Sequence, residues 1–177
     1  MNLCDPPGMN CSLQVGCELM RVSTPEEAKE VSDFLLQPGL FGTRLTPGEM
    51  EEFAVNPARS IGCEHDTYWF QRGDHGTLCA AIGIRMNYGR TGMYEVSAFA
   101  VHSSCRHNGM GKLMLKFALQ FVEDANGRGL IFETSADPTY ASMHKLLDHF
   151  GFKPVGRFPD FYYPGEDTLW YYHEVKR

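Results

Sequence analysis

The chain has 177 residues, 43% of them hydrophobic and 21% charged, with a formal net charge of −6. That length fits one domain, which buries roughly 70% of its unfolded surface and folds without staples. The acidic balance excludes a basic nucleic-acid surface as the main partner and is compatible with a cationic substrate.

Residues 1–16, rich in Pro, Gly, Cys and Asn without a period, read as a flexible N-terminal arm ahead of a single domain over 17–177. CELMRVS (17–23) predicts a first strand. A helix follows in TPEEAKEVSDFLL: Thr24 caps it, Pro25 suits the first helical position, Glu27 completes a capping box, and Pro38-Gly39 stops it. TPGEMEEFAV repeats the device with Thr46, Pro47 and Glu49, and Asn56-Pro57 is expected to end that helix. Three strands come next, TYWFQRG, TLCAAIGIRMNY and MYEVSAFAVHSS. Short turns at Asp74–Gly76 and Gly89–Gly92 join them, as in an antiparallel meander.

KLMLKFALQFVEDANGRG is amphipathic, with Leu113, Phe117 and Phe121 on one face, widened by Leu115, Leu119 and Val122, and Gly127 and Gly129 end it. LIFETSA reads as a buried strand. DPTYASMHKLLDHFGF is a helix capped by Asp137, opened by Pro138 and closed at Gly151, with a stripe of Tyr140, Met143, Leu147 and Phe150. KPVGRF and TLWYYHEVK close the chain as paired strands around an aromatic loop, PDFYYPGED. The order β-α-α-β-β-β-α-β-α-β-β predicts an α+β (mixed α/β) domain around one central sheet.

No apolar run approaches the length of a membrane span, so no membrane partner is expected. MNLCDPPGMN carries no apolar signal region, and a cytoplasmic location is expected. The six cysteines, Cys4, Cys11, Cys17, Cys63, Cys79 and Cys105, then read as reduced thiols. There is no Cys-x-x-Cys, and the seven histidines show no zinc spacing, so no metal is expected.

RHNGMGK (106–112) lies between a strand and a helix. A Walker A loop would place glycine at Arg106 and Ser or Thr at Leu113, and a dinucleotide fingerprint would place glycine at Met114; neither fits. What stands is an anion site. Gly109 and Gly111 let the backbone approach closely, the N–H groups of the first helical turn point at the anion, and Arg106 and Lys112 add charge.

Arg106-x-x-Gly109-x-Gly111 resembles the pyrophosphate-binding motif, Arg/Gln-x-x-Gly-x-Gly/Ala, of the GNAT N-acetyltransferase superfamily. SAFAVHSSCRHNGMGKLML is similar to that family's fourth strand, loop and third helix, and MHKLLDHFGF to its fourth helix with a terminal Gly151-Phe152. The likeness covers about residues 17 to 175. It implies a mostly antiparallel, twisted sheet splayed between strands 4 and 5 and flanked by helices. It implies acetyl-CoA, or a close acyl-CoA, as acyl donor and an amine as acceptor. Main-chain groups of Phe99, Ala100 and Val101 would bond the pantetheine, and main-chain N–H groups of His107, Asn108, Gly109, Met110, Gly111 and Lys112 would hold the pyrophosphate. Two positions depart from the pattern: Tyr140 stands where many members carry an Asn that bonds the cofactor, and Leu147 where many carry a tyrosine that protonates the leaving thiolate.

Acetyl transfer needs a neutral amine, and a lysine-like amine has a pKa of about 10.4, so a base is required. Glu95 is the candidate. It is a lone carboxylate in an apolar strand, six residues before Val101, the spacing of the catalytic glutamate in the histone-acetyltransferase branch of the family. His144 is the second candidate and shares a helix face with Tyr140, itself a candidate acid. Tyr162 and Tyr163 fall in the last loop, which in the family borders the acceptor; acid, acceptor clamp and plain loop aromatic all stay open for them. Two functions follow: an N-acetyltransferase acting by direct attack in a ternary complex, supported by Glu95, or a non-catalytic acyl-CoA-binding module, supported by Leu147. A small-molecule amine and a protein lysine or N-terminus both fit as acceptor, and a homodimer stays open.

Overall fold

The computed structural model describes residues 18–42, 44–73 and 76–175, so the N-terminal arm and Cys4, Cys11 and Cys17 lie outside it. A seven-stranded sheet in the order β1-β2-β3-β4-β5-β7-β6 forms the centre. Its strands are β1 (Met20–Arg21), β2 (Asp66–Arg72), β3 (Leu78–Met86), β4 (Met93–Val101), β5 (Gly129–Ser135), β6 (Lys153–Tyr163) and β7 (Glu166–Glu174). All neighbours run antiparallel except β4 and β5, which are parallel. Helices α1 (Pro25–Leu35), α2 (Pro47–Arg59), α3 (Met110–Asp124) and α4 (Ala141–His149) flank it. The mixed α+β class, the element order and the mostly antiparallel sheet are those expected from the sequence; the parallel β4–β5 pairing is a feature the structure adds.

Both capping boxes form. Thr24 accepts from Glu27 N while Glu27 accepts from Thr24 N at 3.1 Å, and Thr46 and Glu49 make the same exchange, with Thr46 N donating at 2.7 Å. Alternation along the strands sorts side chains into two cores. On one face Met114, Leu115, Ala118, Val122 and Leu147 of α3 and α4 pack on Ile82, Tyr94, Leu130 and Phe132. On the other, Val31, Phe34, Leu35 and Phe53 of α1 and α2 pack on Tyr68, Ala81, Ala98 and Ala100.

Several expectations need correction. Pro57 does not end α2, which continues to Arg59; the proline gives up one ladder bond, and its ring is buried in the last turn. The third strand ends at Val101, and Ser103–Cys105 is a 3₁₀ turn. The buried stripe of α3 centres on Met114 and Ala118, while Leu113, Phe117 and Phe121 are half-buried at its edge. Asp137 caps a 3₁₀ turn (Pro138–Tyr140) rather than the α-helix, which starts at Ala141. Most of the expected aromatic loop belongs to β6, whose pairing with β7 slips between Phe158 and Tyr163.

Cys79 and Cys105 are joined as a disulfide, where reduced thiols were expected. The cause is topological. Ala80 pairs with Val101 and His102 N donates to Cys79 O, so the 3₁₀ turn brings Cys105 back beside β3, with 5.9 Å between the two Cα atoms. That spacing suits a bridge. Cys63 is the free cysteine among the described residues. Among those residues, no helix is long and apolar enough to cross a membrane, and no cluster of His, Cys, Asp and Glu could hold a metal.

Candidate active site

The site begins with a bulge. Gly83 pairs with Ala98 but Ile84 pairs with Val96, so Ser97 is an extra residue in β4. Gly83 permits it: a Cβ there would lie 2.5 Å from Ser97 Oγ and 2.7 Å from the Tyr68 ring. A bulge bends and twists its strand. Directly at this point β4 leaves β5, their last pair being Val96 with Phe132. Phe99, Ala100 and Val101 lie beyond it, laddered to β3 but not to β5, so their backbone edge faces the gap. The splay implied for strands 4 and 5 is present.

The glycine turn sits at the end of the splayed strand. Gly109 is the N-cap of α3, adopts φ 81° and gives it no side-chain cap. Only glycine enters that region without strain, and an uncapped helix start suits an anion. Gly111 serves a second purpose, since a Cβ there would come within 3.2 Å of the Leu146 side chain on α4. The Arg106 side chain, at the start of the turn, donates to two main-chain carbonyls. Its Nε donates to Val101 O at 3.0 Å and its Nη2 to Leu40 O at 2.9 Å.

A cleft opens through the splay. Val96, Ser97, Ala98 and Phe99 form one wall, Phe132, Glu133, Thr134 and Ser135 the facing one, and Phe41, Phe53, Tyr140 and Tyr162 add aromatic surface. Glu49, Glu133 and Glu166 also line it, with Arg44 as the counter-charge. Glu133 is the central group. It follows the buried Phe132 on β5 and, by strand alternation, projects to the α1/α2 side. Tyr162 donates to its Oε1 at 3.0 Å. Burial pushes the Glu133 carboxyl above its ordinary value, against the Tyr162 hydrogen bond, with the charges of Glu49 and Glu95 adding to the rise. Burial also pushes the Tyr162 phenol well up, so it stays protonated as a donor.

The residues expected to carry proton chemistry are placed as follows. Glu95 lies two residues before the bulge, where β4 and β5 are still paired, and does not line the cleft. Arg85 Nε donates to it at 2.6 Å and reaches Glu52 on α2 at 3.0 Å. Tyr140 lines the cleft, but its hydroxyl donates to Phe41 O. His144 Nε2 is 2.9 Å from Ser135 O and its ring stacks on Tyr171, outside the cleft lining. Leu147 is fully buried core. Glu133 was not singled out from the sequence. Its signal was there in LIFETSA, a lone carboxylate in an otherwise apolar and small-residue strand.

The family model for the acetyltransferase (GNAT) family matches residues 39–152. An N-acetyltransferase of Schizosaccharomyces pombe is 26% identical over 136 residues, covering 75% of this chain and 82% of the relative. A GNAT-family acetyltransferase of Desulfovibrio desulfuricans superposes with a TM-score of 0.75 at 23% identity, covering 91% of this chain and all of its own. A streptothricin acetyltransferase of Bacillus anthracis, solved with acetyl coenzyme A, superposes with a TM-score of 0.59 at 19% identity, over 67% of this chain and 68% of its own. With the splayed sheet, the glycine-capped α3 and a family match across most of the domain, this chain belongs to the GNAT acetyltransferases.

Proposed function

We propose that the protein transfers an acetyl group from acetyl-CoA to a primary amine on a cationic acceptor, by direct attack in a ternary complex with Glu133 as base. The observation that carries this reading is Glu133 itself: a partly buried carboxylate with a raised pKa, fixed by Tyr162 in a cleft at the strand splay. The donor would lie in the gap, its pantetheine amides on the backbone of Phe99, Ala100 and Val101, and its pyrophosphate on the N–H groups of His107 to Lys112. The acceptor would enter from the side of Phe41, Glu49 and Glu166. Three carboxylates against one guanidinium make this a cation's cleft.

An incoming ammonium must lose a proton before its nitrogen can attack. Glu133, with its pKa raised toward the working range, takes that proton directly or through water. The amine nitrogen bonds the thioester carbon, the C–S bond breaks, and the acylated nitrogen gives its second proton to water or to the departing thiolate, leaving the neutral amide and CoA. A thiol of pKa about 8.5 leaves as thiolate without a strong acid. Leu147, which cannot protonate it, is therefore consistent with turnover. Tyr162 orients the base, and the Glu95–Arg85 pair holds β4 to β3 beneath the site.

The test is release of CoA thiol from acetyl-CoA with a panel of small amines, polyamines, aminoglycosides and lysine or N-terminal peptides. Amine-dependent release, strongest for cations, is expected. Tight acetyl-CoA binding with no amine-dependent release would replace this reading with an acyl-CoA-binding module.

A further inference from the structure

The connection between α1 and α2 supplies Phe41, Arg44 and Leu45 to the cleft. Three side chains from three other parts of the chain hold its backbone carbonyls. Arg106 donates to Leu40 O at 2.9 Å, Tyr140 donates to Phe41 O, and Tyr163 donates to Leu45 O at 3.1 Å. Arg44 lies 3.6 Å above the Tyr163 ring, and Phe41 stacks on Phe53 at 5.1 Å. A Cβ on Gly42 would sit 3.6 Å from Thr139 Oγ1, so this connection also packs on the turn before α4.

Arg106 differs from the other two because of what it joins. Its Nε holds the carbonyl of Val101, the last residue of the splayed strand. Its own backbone opens the glycine turn. Its Nη2 crosses 66 residues of sequence to the acceptor-side wall. One planar guanidinium with a fixed fork of donors thus ties strand, turn and wall in a single geometry. Two of its donor directions end on main-chain carbonyls, both within the protein.

We infer that Arg106 is a positioning residue for the acceptor-side wall, coupling occupancy of the glycine turn to the order of residues 36–42, rather than a ligand of the acyl donor's phosphates. This rests on the proposed reading of the turn as the acetyl-CoA site and of the cleft as the acceptor site. An ordering of the turn by acetyl-CoA is transmitted through Arg106 to Leu40 and Phe41. Coupling of this kind is reciprocal, so acceptor and acetyl-CoA each tighten the other's binding.

The experiment compares wild type with Arg106→Gln, Arg106→Lys and Tyr163→Phe. Calorimetry gives acetyl-CoA affinity, amide hydrogen exchange reports residues 36–42 with and without acetyl-CoA, and kinetics use the best amine from the CoA-release panel. In the wild type, acetyl-CoA should slow exchange in that segment. In Arg106→Gln that protection should vanish, acetyl-CoA affinity should stay within about threefold, and acceptor KM should rise about tenfold or more, about 1.4 kcal/mol. Arg106→Lys keeps the charge but not the fork and should behave like Arg106→Gln. Tyr163→Phe, which releases only Leu45, should raise acceptor KM and leave acetyl-CoA affinity alone. A tenfold loss of acetyl-CoA affinity in Arg106→Gln that Arg106→Lys restores would make Arg106 a phosphate ligand and overturn the inference. Unaltered protection in Arg106→Gln would overturn it equally. A wild type that binds no acetyl-CoA would overturn the underlying reading as well, so the two failures are told apart by the first titration.

Discussion

Replacing Glu133 by Gln separates activity from stability with opposite signs. Gln keeps the size and still accepts from the Tyr162 hydroxyl through Oε1, so the hydrogen bond at 3.0 Å has a partner in both proteins. It cannot take a proton. Losing a positioned base typically costs about 10²–10⁴-fold in rate, or about 3–5 kcal/mol of transition-state stabilisation. Stability moves the other way. Burial raises the folded-state pKa of Glu133 above its ordinary 4.5, so the folded protein holds this proton more tightly than the unfolded chain. Ionising the group then costs stability, and the cost sets in as pH rises through 4.5 and is complete above the folded-state pKa. Glu133→Gln should therefore melt higher than wild type at neutral pH, and the difference should close in acid. In kinetics, the wild-type kcat/KM should rise with pH along a limb set above the ordinary carboxylate range. The variant should lose that limb and recover only as alkali supplies neutral amine.

Glu95→Gln is the control. The Arg85 and Glu95 side chains are 32% and 31% exposed, so solvent screening holds the pair to less than about 1 kcal/mol. Its kcat should stay within a few-fold of wild type. Steady-state kinetics across pH and thermal melts at acid and neutral pH decide between the two carboxylates. Wild-type kcat in Glu133→Gln near neutral pH, or an equal fall in Glu95→Gln, would rule Glu133 out as the base.

Two further outcomes follow from the glycine turn and the disulfide. Gly109→Ala forces a side chain to φ 81° at the start of α3, a strain of about 1–2 kcal/mol, and should weaken acetyl-CoA in calorimetry. Gly111→Ala meets only the movable end of Leu146 and should do less; equal effects would show that backbone conformation is not what Gly109 provides. The Cys79–Cys105 bridge closes a separation of 26 residues, for which chain entropy predicts about 3.5 kcal/mol. Reductant should lower the melting temperature, and alkylation of the denatured, unreduced protein should spare both cysteines; full labelling of both would refute the bridge.

Much of the fold was written locally. Thr24/Glu27 and Thr46/Glu49 announce their helices because a capping box satisfies backbone donors within one turn, whatever the rest of the chain does. Gly151 and Phe152 end α4 for equally local reasons, with Gly151 at φ 76° and Phe152 N returning to Leu147 O at 3.0 Å. Features set by distant partners were not legible. Pro57 marks a helix end by propensity, yet its buried ring sits inside the last turn. The slipped β6–β7 pairing absorbed PDFYYPGED into strand, although Pro and Gly punctuate it as a loop. Cys79 and Cys105 look unrelated until the β3–β4 register folds them together.

The candidate site divides along the same line. Gly109 and Gly111 were visible because a positive φ and a close approach leave their mark as glycines. The base was not, because Glu95 and Glu133 present the same local pattern, one carboxylate in an otherwise apolar or small-residue strand. What distinguishes them is one extra residue. The bulge at Ser97 bends β4 off β5 beyond Val96 and Phe132. Glu95 falls before that point, where the strands are still laddered and Arg85 stands opposite it to neutralise it. Glu133 falls one residue past it, where a missing neighbour strand leaves a cleft and, among the described residues, no cation forms an ion pair with the carboxylate. Burial leaves the Glu133 carboxyl poised to take a proton, against the hydrogen bond that Tyr162 donates to it. The bulge depends in turn on Gly83, on the next strand, whose missing Cβ makes room for Ser97 and the Tyr68 ring. The position of the base is thus set by a glycine 50 residues away in the chain, a dependence visible only once β3, β4 and β5 are in register.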